Sequence, residues 1–135
     1  MSEDVVAITQ LIAAYGMAVD SGDASAAAAL FTDDGCYDVA GRRYEGAAAI
    51  AEMVSGRAHQ GLLAEGVAHL QGLPRVDLDG DRAVAVNHSV VLLNGAVWRV
   101  AANRWELVRT AAGWKVTART NRLLDGGQEA RDLLR

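Results

Sequence analysis

With 135 residues, 51% of them hydrophobic and 22% charged, the chain is the size of one soluble domain that can bury a core and enclose a cavity. A formal net charge of −4 leaves no basic stripe for a phosphate backbone, so a nucleic-acid partner is not expected. No run approaches the roughly 18 apolar residues of a spanning helix, and MSEDVVAITQ has neither the basic start nor the long apolar stretch of a signal peptide, so no membrane association is expected.

The single cysteine, Cys36, excludes an intramolecular disulfide and a cysteine-based zinc site, and suits a reducing, cytoplasmic setting. Ser2 or Asp4 can cap a first helix whose apolar residues Val5, Ile8, Leu11, Ile12, Tyr15 and Val19 recur at three- and four-residue spacing, to about Asp20. After the turn SGD, Asp23 is a suitable N-cap for a short alanine-rich helix, Ala24 to Leu30, which Phe31 closes. An acidic turn, TDDG, then leads to a strand-like segment, CYDVAGRRYEG, with AGR as a hairpin turn. A third helix, about Ala47 to Arg57, carries Ile50 and Val54 on one side, and RAHQG after it reads as a polar loop with His59 on the surface.

Beyond residue 62 the texture is β. Segments 65–77, 82–94, 97–110 and 113–123 are rich in Val, Leu and Trp and are separated by LDGD, NG and TAAG, which predicts an antiparallel meander. Pro74 falls near a strand end or bulge. The predicted architecture is α+β over a single domain, residues 1–135: a helical part with a short hairpin (1–60), a curved antiparallel sheet (62–123) with three helices on its concave face, and a charged tail (124–135).

Few residues offer chemistry. Asp20 ends a helix face otherwise made of Ile, Leu, Ala and Tyr; it either bonds the amides of the SGD turn or serves as a base in a partly desolvated hollow. Tyr15, five residues earlier, lies about 500° away around the helix, so the two meet only if the helix end crosses the mouth of a cavity. His69 opens the first long strand, and His88 shares a strand face with Val86 and Val90. No histidine stands at metal-ligand spacing from another, so no metal is expected.

The run YGMAVDSGD through AAAALFTDDGCYDVAGRRYEGAAAI, followed by GVAHLQG, LDGDRAVA and NRWELVRTAAGWKVTART, resembles the SnoaL-like branch of the nuclear transport factor 2-like superfamily over about residues 4 to 124. The resemblance implies a cone-shaped α+β domain around a deep, largely apolar pocket. It implies activities such as those of scytalone dehydratase, lindane dehydrochlorinase, bile acid 7α-dehydratase, steroid Δ-isomerase and the polyketide cyclases, without a cofactor. In the dehydratase group an aspartate at the end of helix one holds a histidine on the strand after helix three, and Asp20 and His69 match those positions. Tyr15 matches a tyrosine of bile acid 7α-dehydratase. Arg119 falls where lindane dehydrochlorinase has a pocket arginine and could bind a carboxylate or phenolate. Val39 stands where steroid isomerase has its aspartate, with Asp38 next to it.

The implied site is therefore Asp20, His69 and Tyr15 as catalytic groups, with Arg119, Phe31, Tyr37, Met53, Val91, Trp105 and Asn103 as substrate contacts. The implied function is a cofactor-independent lyase, a dehydratase or dehydrohalogenase, acting on a small hydrophobic cyclic molecule. An isomerase or cyclase with the same pocket, or a non-catalytic binding or dimerisation domain, stays open. A homodimer formed through the sheet is the expected assembly.

Overall fold

The computed structural model describes residues 2–135. Helix α1 spans Glu3–Asp20 and is capped by Ser2, whose Oγ accepts from the Val5 N–H at 3.2 Å. Asp4, the other candidate cap, instead takes bonds at 2.8 Å from both Nη atoms of Arg109 and a third from Trp114 Nε1. Those bonds, Arg109 foremost, hold its carboxyl down at about 2. Replacing Ser2 with Ala removes the cap bond and is expected to cost about 1 kcal/mol, read from urea unfolding midpoints.

Helix α2, Ala24–Ala28, is capped by Asp23 Oδ1 accepting from the Ala26 N–H at 3.0 Å. It is shorter than predicted because Phe31 already begins strand β1, Phe31–Val39. The segment read as an acidic turn lies inside that strand, where the pairing shifts register between Phe31 and Cys36. Ala40 and Gly41, with φ of 51° and 95°, turn the chain into β2, Arg42–Glu45. Positive φ at both loop positions matches the right-handed twist of the two strands.

Helix α3, Ala47–Ser55, buries Ile50 and Val54 as its spacing predicts. The polar loop expected next is instead a helix, α4, Arg57–Ala64. Gly56, extended at φ −71° and ψ 163°, ends one helix and begins the other. No residue of α4 is fully buried, and its opening run RAHQG, polar and containing Gly61, has the composition of a loop. With α5, Gln128–Leu133, in the tail, there are five helices among the described residues, four of them within residues 3–64, rather than three.

The remaining strands are β3 (Val67–Gln71), β4 (Arg75–Asp79), β5 (Arg82–Leu93), β6 (Ala96–Thr110) and β7 (Gly113–Leu123). Segment 65–77 is thus two strands, broken around Gly72 and Pro74, and both pair with β5. The sheet order is β2-β1-β7-β6-β5-β3. It is mixed, not wholly antiparallel, because β1 runs parallel to β7. Register shifts at Val91/Leu92 and Glu106/Leu107 bend the long strands, and the sheet stays curved and open. Helix α1 packs on β3, β4 and β7, and α3 on β1 and β2. Between them lies a core that includes Ile8, Ile12, Ile50, Leu107 and Val116. Among the described residues no helix is long and apolar enough to cross a membrane.

Candidate active site

A cavity of about 530 Å³ opens between the inner face of the sheet, the end of α1, and helices α3 and α4. Its surface is more apolar than polar, with Tyr15, Tyr37, Met53 and Val91 among the lining residues, and charged side chains such as Arg57 and Arg119 stand beside them.

At one wall, Asp20 and His69 meet. Asp20 Oδ2 accepts from the His69 backbone N–H at 2.7 Å, and Oδ1 lies 2.7 Å from Nδ1. A carboxylate only accepts, so Nδ1 carries the proton and Nε2 holds the free lone pair. The turn amides that might have claimed Asp20 are satisfied elsewhere: Ser21, Gly22 and Asp23 N–H groups donate to the carbonyls of Met17, Val19 and Ala18. The contact is set by backbone proximity. Gly16 on α1 faces β3 so closely that a Cβ there would lie 2.6 Å from the His69 carbonyl oxygen. Glycine in this helix interior lets the last turn reach the strand.

Burial pushes the His69 imidazole below its usual value, opposed by its bond to Asp20. The ring is therefore neutral at pH 7. Tyr15 is buried, and burial together with neighbouring Tyr37 pushes its phenol far up, so it remains a hydrogen-bond donor.

Arg119, on the last strand, is buried to 3% exposure. Its guanidinium carbon lies 4.0 Å from the centre of the Trp105 ring, 4.4 Å from Tyr37 and 4.7 Å from Tyr15. Nε and Nη2 both donate to Asn103 Oδ1, at 3.2 and 2.9 Å. Three asparagines, Asn87, Asn103 and Asn121, stand opposite one another across β5, β6 and β7. The guanidinium is donor-only, so Asn103 must turn its oxygen to it; Asn121 then offers Nδ2 to that same oxygen, at 2.9 Å. The chain ends with two buried atoms without partners, Arg119 Nη1 and Asn121 Oδ1, on residues that line the cavity.

Other expectations are corrected by the packing. Phe31, Trp105 and Asn103 do not line the cavity: Phe31 packs edge-on against Tyr15, and Trp105 and Asn103 lie wholly buried behind the wall. Trp105 donates Nε1–H to Asn87 and supports Arg119 from behind. Trp98 is 47% exposed and lines the cavity. His59 is no free surface residue; its Nε2 lies 2.6 Å from the Val19 carbonyl, its ring is 6.0 Å from that of His69, and it lines the cavity. Helix α4, which replaces the expected loop, carries it there. His88 is exposed on the outer face. Val39 lines the cavity, while Asp38 binds Arg122 with both oxygens, at 2.8 and 3.0 Å. Among the described residues no group of three or more His, Cys, Asp or Glu side chains is gathered as a metal set.

A mixed α+β fold with a curved open sheet, a hollow against it and these pairings define a recognisable class. The SnoaL-like domain family model matches residues 1–120, and the chain belongs to that family. An NTF2-like protein with a cystatin-like fold from Novosphingobium aromaticivorans is similar at 46% identity, over 98% of this chain and 90% of that one, with a TM-score of 0.94. A protein of unknown function from Mycobacterium tuberculosis, solved as an aspartate-to-asparagine variant, is 25% identical over 88% of this chain and 75% of its own, with a TM-score of 0.80. A second Novosphingobium aromaticivorans protein, provisionally assigned as an aromatic ring hydroxylase, is 28% identical over 90% of each chain, with a TM-score of 0.73. No curated relative matches the chain.

Proposed function

We propose that the protein is a cofactor-independent lyase, of dehydratase type, that removes a proton from carbon next to an activating group on a small cyclic substrate. The observation that carries this reading is the double contact of Asp20 with His69 at the cavity wall, which leaves Nε2 as a free base. Nε2 takes the C–H proton, the C–H electron pair becomes the new double bond, and the C–O bond to a leaving hydroxyl breaks. The imidazolium returns its proton to the departing hydroxide, so water leaves and the base is regenerated. Asp20 holds the tautomer and stabilises the imidazolium as it forms. Tyr15, kept protonated by burial, donates a hydrogen bond to oxygen that gains charge.

The test is deuterium washout from cyclic β-hydroxy carbonyl compounds labelled at the α-carbon, with the protein and with His69→Gln. Washout that depends on His69 supports the base role. Equal washout by both proteins would leave a binding domain as the better account.

The pH dependence follows from the depressed His69 value. Neutral imidazole is the active form, so turnover is expected to be full at pH 7 and to fall as the pH drops through the folded value, which lies under 6.5. Stability carries the same sign. The unfolded chain binds this proton more readily, so the contribution is complete above the unfolded value and is lost as pH falls through the folded one. Rate profiles and thermal midpoints between about pH 4 and 8 check both.

A further inference from the structure

The cavity is charged in a sense opposite to the protein. The chain's formal charge is −4, yet Arg42, Arg57, Arg99 and Arg119 line the hollow with one lining acid, Glu52, and the Asp20 carboxylate at the wall bound to His69. Among the described residues neither Glu52 nor any of the four arginines is in an ion pair. The arginines come from separate elements: Arg42 from the start of β2, Arg57 from the start of α4, Arg99 from β6 and Arg119 from β7. Arg42 and Arg57 are exposed and Arg99 is half-buried, so they form a rim, while Arg119 lies at depth.

Arg119 is the demanding member. A guanidinium cannot shed its proton, and burying one without an anion is costly unless something compensates. Three ring faces and one amide oxygen take up two of its three nitrogens' needs and leave Nη1 unsatisfied. A neutral carbonyl ligand would satisfy the hydrogen bond and leave the charge uncompensated. A phenol would first have to ionise, whereas a carboxylate is already an anion at pH 7. The free acceptor on Asn121 suits a hydroxyl donor on the same ligand.

We propose that the cavity takes its ligand as a cyclic carboxylate, a hydroxy acid by preference, whose carboxylate is paired with the Arg119 guanidinium at depth and is drawn in by the rim arginines. The inference rests on the lyase reading for the reaction, and names the substrate class of that site. The two positions divide the work. A desolvated contact at depth sets affinity and dissociation, while exposed rim charges set the association rate and its salt dependence.

The experiment titrates 2-naphthoate, 2-naphthol and 2-naphthalenemethanol into the protein by calorimetry, with stopped-flow tryptophan fluorescence for the rates, at low and high salt. The expected result is binding of the naphthoate at least about tenfold tighter than either uncharged compound, a preference that Arg119→Gln abolishes. The triple variant Arg42→Gln, Arg57→Gln, Arg99→Gln keeps the preference but associates more slowly, with a flatter salt dependence. Naphthol or the alcohol binding as tightly as the acid overturns the proposal, as does no binding of the acid. A preference lost in the rim variant and kept in Arg119→Gln overturns the seat at depth. Should Arg119→Gln fail to fold, the rim variant still decides: the acid preference kept there supports the seat at depth, and its loss there overturns it. The readout is ligand binding, not His69 titration or proton washout, so this proposal and the lyase reading can fail independently.

Discussion

Asp20→Asn is expected to lower proton abstraction by about 10²–10⁴-fold while the protein stays folded. The carboxylate now receives two N–H groups of one residue, the His69 amide and Nδ1–H. The two contacts are made by separate oxygens, so a carboxamide in the same place sets its oxygen against one N–H and its NH₂ against the other. The easy relief is for the imidazole to move its proton to Nε2, which puts a donor where the base should be. Loss of the carboxylate also removes the influence that opposes burial, so the His69 value is expected to fall further. The measurements are the washout rate against pH and the NMR titration of His69. A reduced rate plateau with the acidic limb moved to lower pH supports the base role. A rate within a few-fold of the parent, or a histidine indifferent to the substitution, would refute it.

Gly16→Ala is expected to destabilise the protein by about 1–3 kcal/mol although it places the better helix former in a helix. The intrinsic gain is about 1 kcal/mol, but the new methyl would stand 2.6 Å from the carbonyl oxygen of His69. That atom belongs to backbone fixed by pairing of β3 with β5, so it cannot swing aside like a flexible side chain. Helix α1 must retreat from the strand, and the Asp20 contact stretches with it. Urea unfolding gives the stability cost. The His69 titration gives the second readout, since a looser pair exposes the ring and brings its value back toward 6.5. A variant more stable than the parent, with His69 unmoved, would show that the close approach is not held by the sheet.

Local signals were readable along the chain. The apolar spacing of Ile8, Ile12 and Val19 placed α1 and its end at Asp20, and Asp23 marked the start of α2. Ala40-Gly41 and Asn94-Gly95, all at positive φ, marked two hairpins. Helix α4 was not readable, because it is only eight residues long and opens on the polar run RAHQG, whose glycine signals a loop. The parallel pairing of β1 with β7 was not readable either, since it joins strands from opposite ends of the chain and no turn between them dictates it. The same gap hid Asn87, Asn121 and His59, whose surroundings are made by remote segments.

By itself, then, the sequence determined which stretches are helix or strand wherever a periodic face or a turn residue repeats over a few neighbours, and, through family resemblance, pointed to Asp20 and His69 as neighbours, which their two contacts bear out. The tertiary structure alone decided what those residues touch. Register across β5, β6 and β7 aligned three asparagines under one buried arginine, put Trp105 behind it instead of in the cavity, and gathered four arginines at a hollow in an acidic protein. Side-chain spacing along a chain is a local property, whereas burial and charge environment depend on segments far apart in sequence, and only packing fixes those.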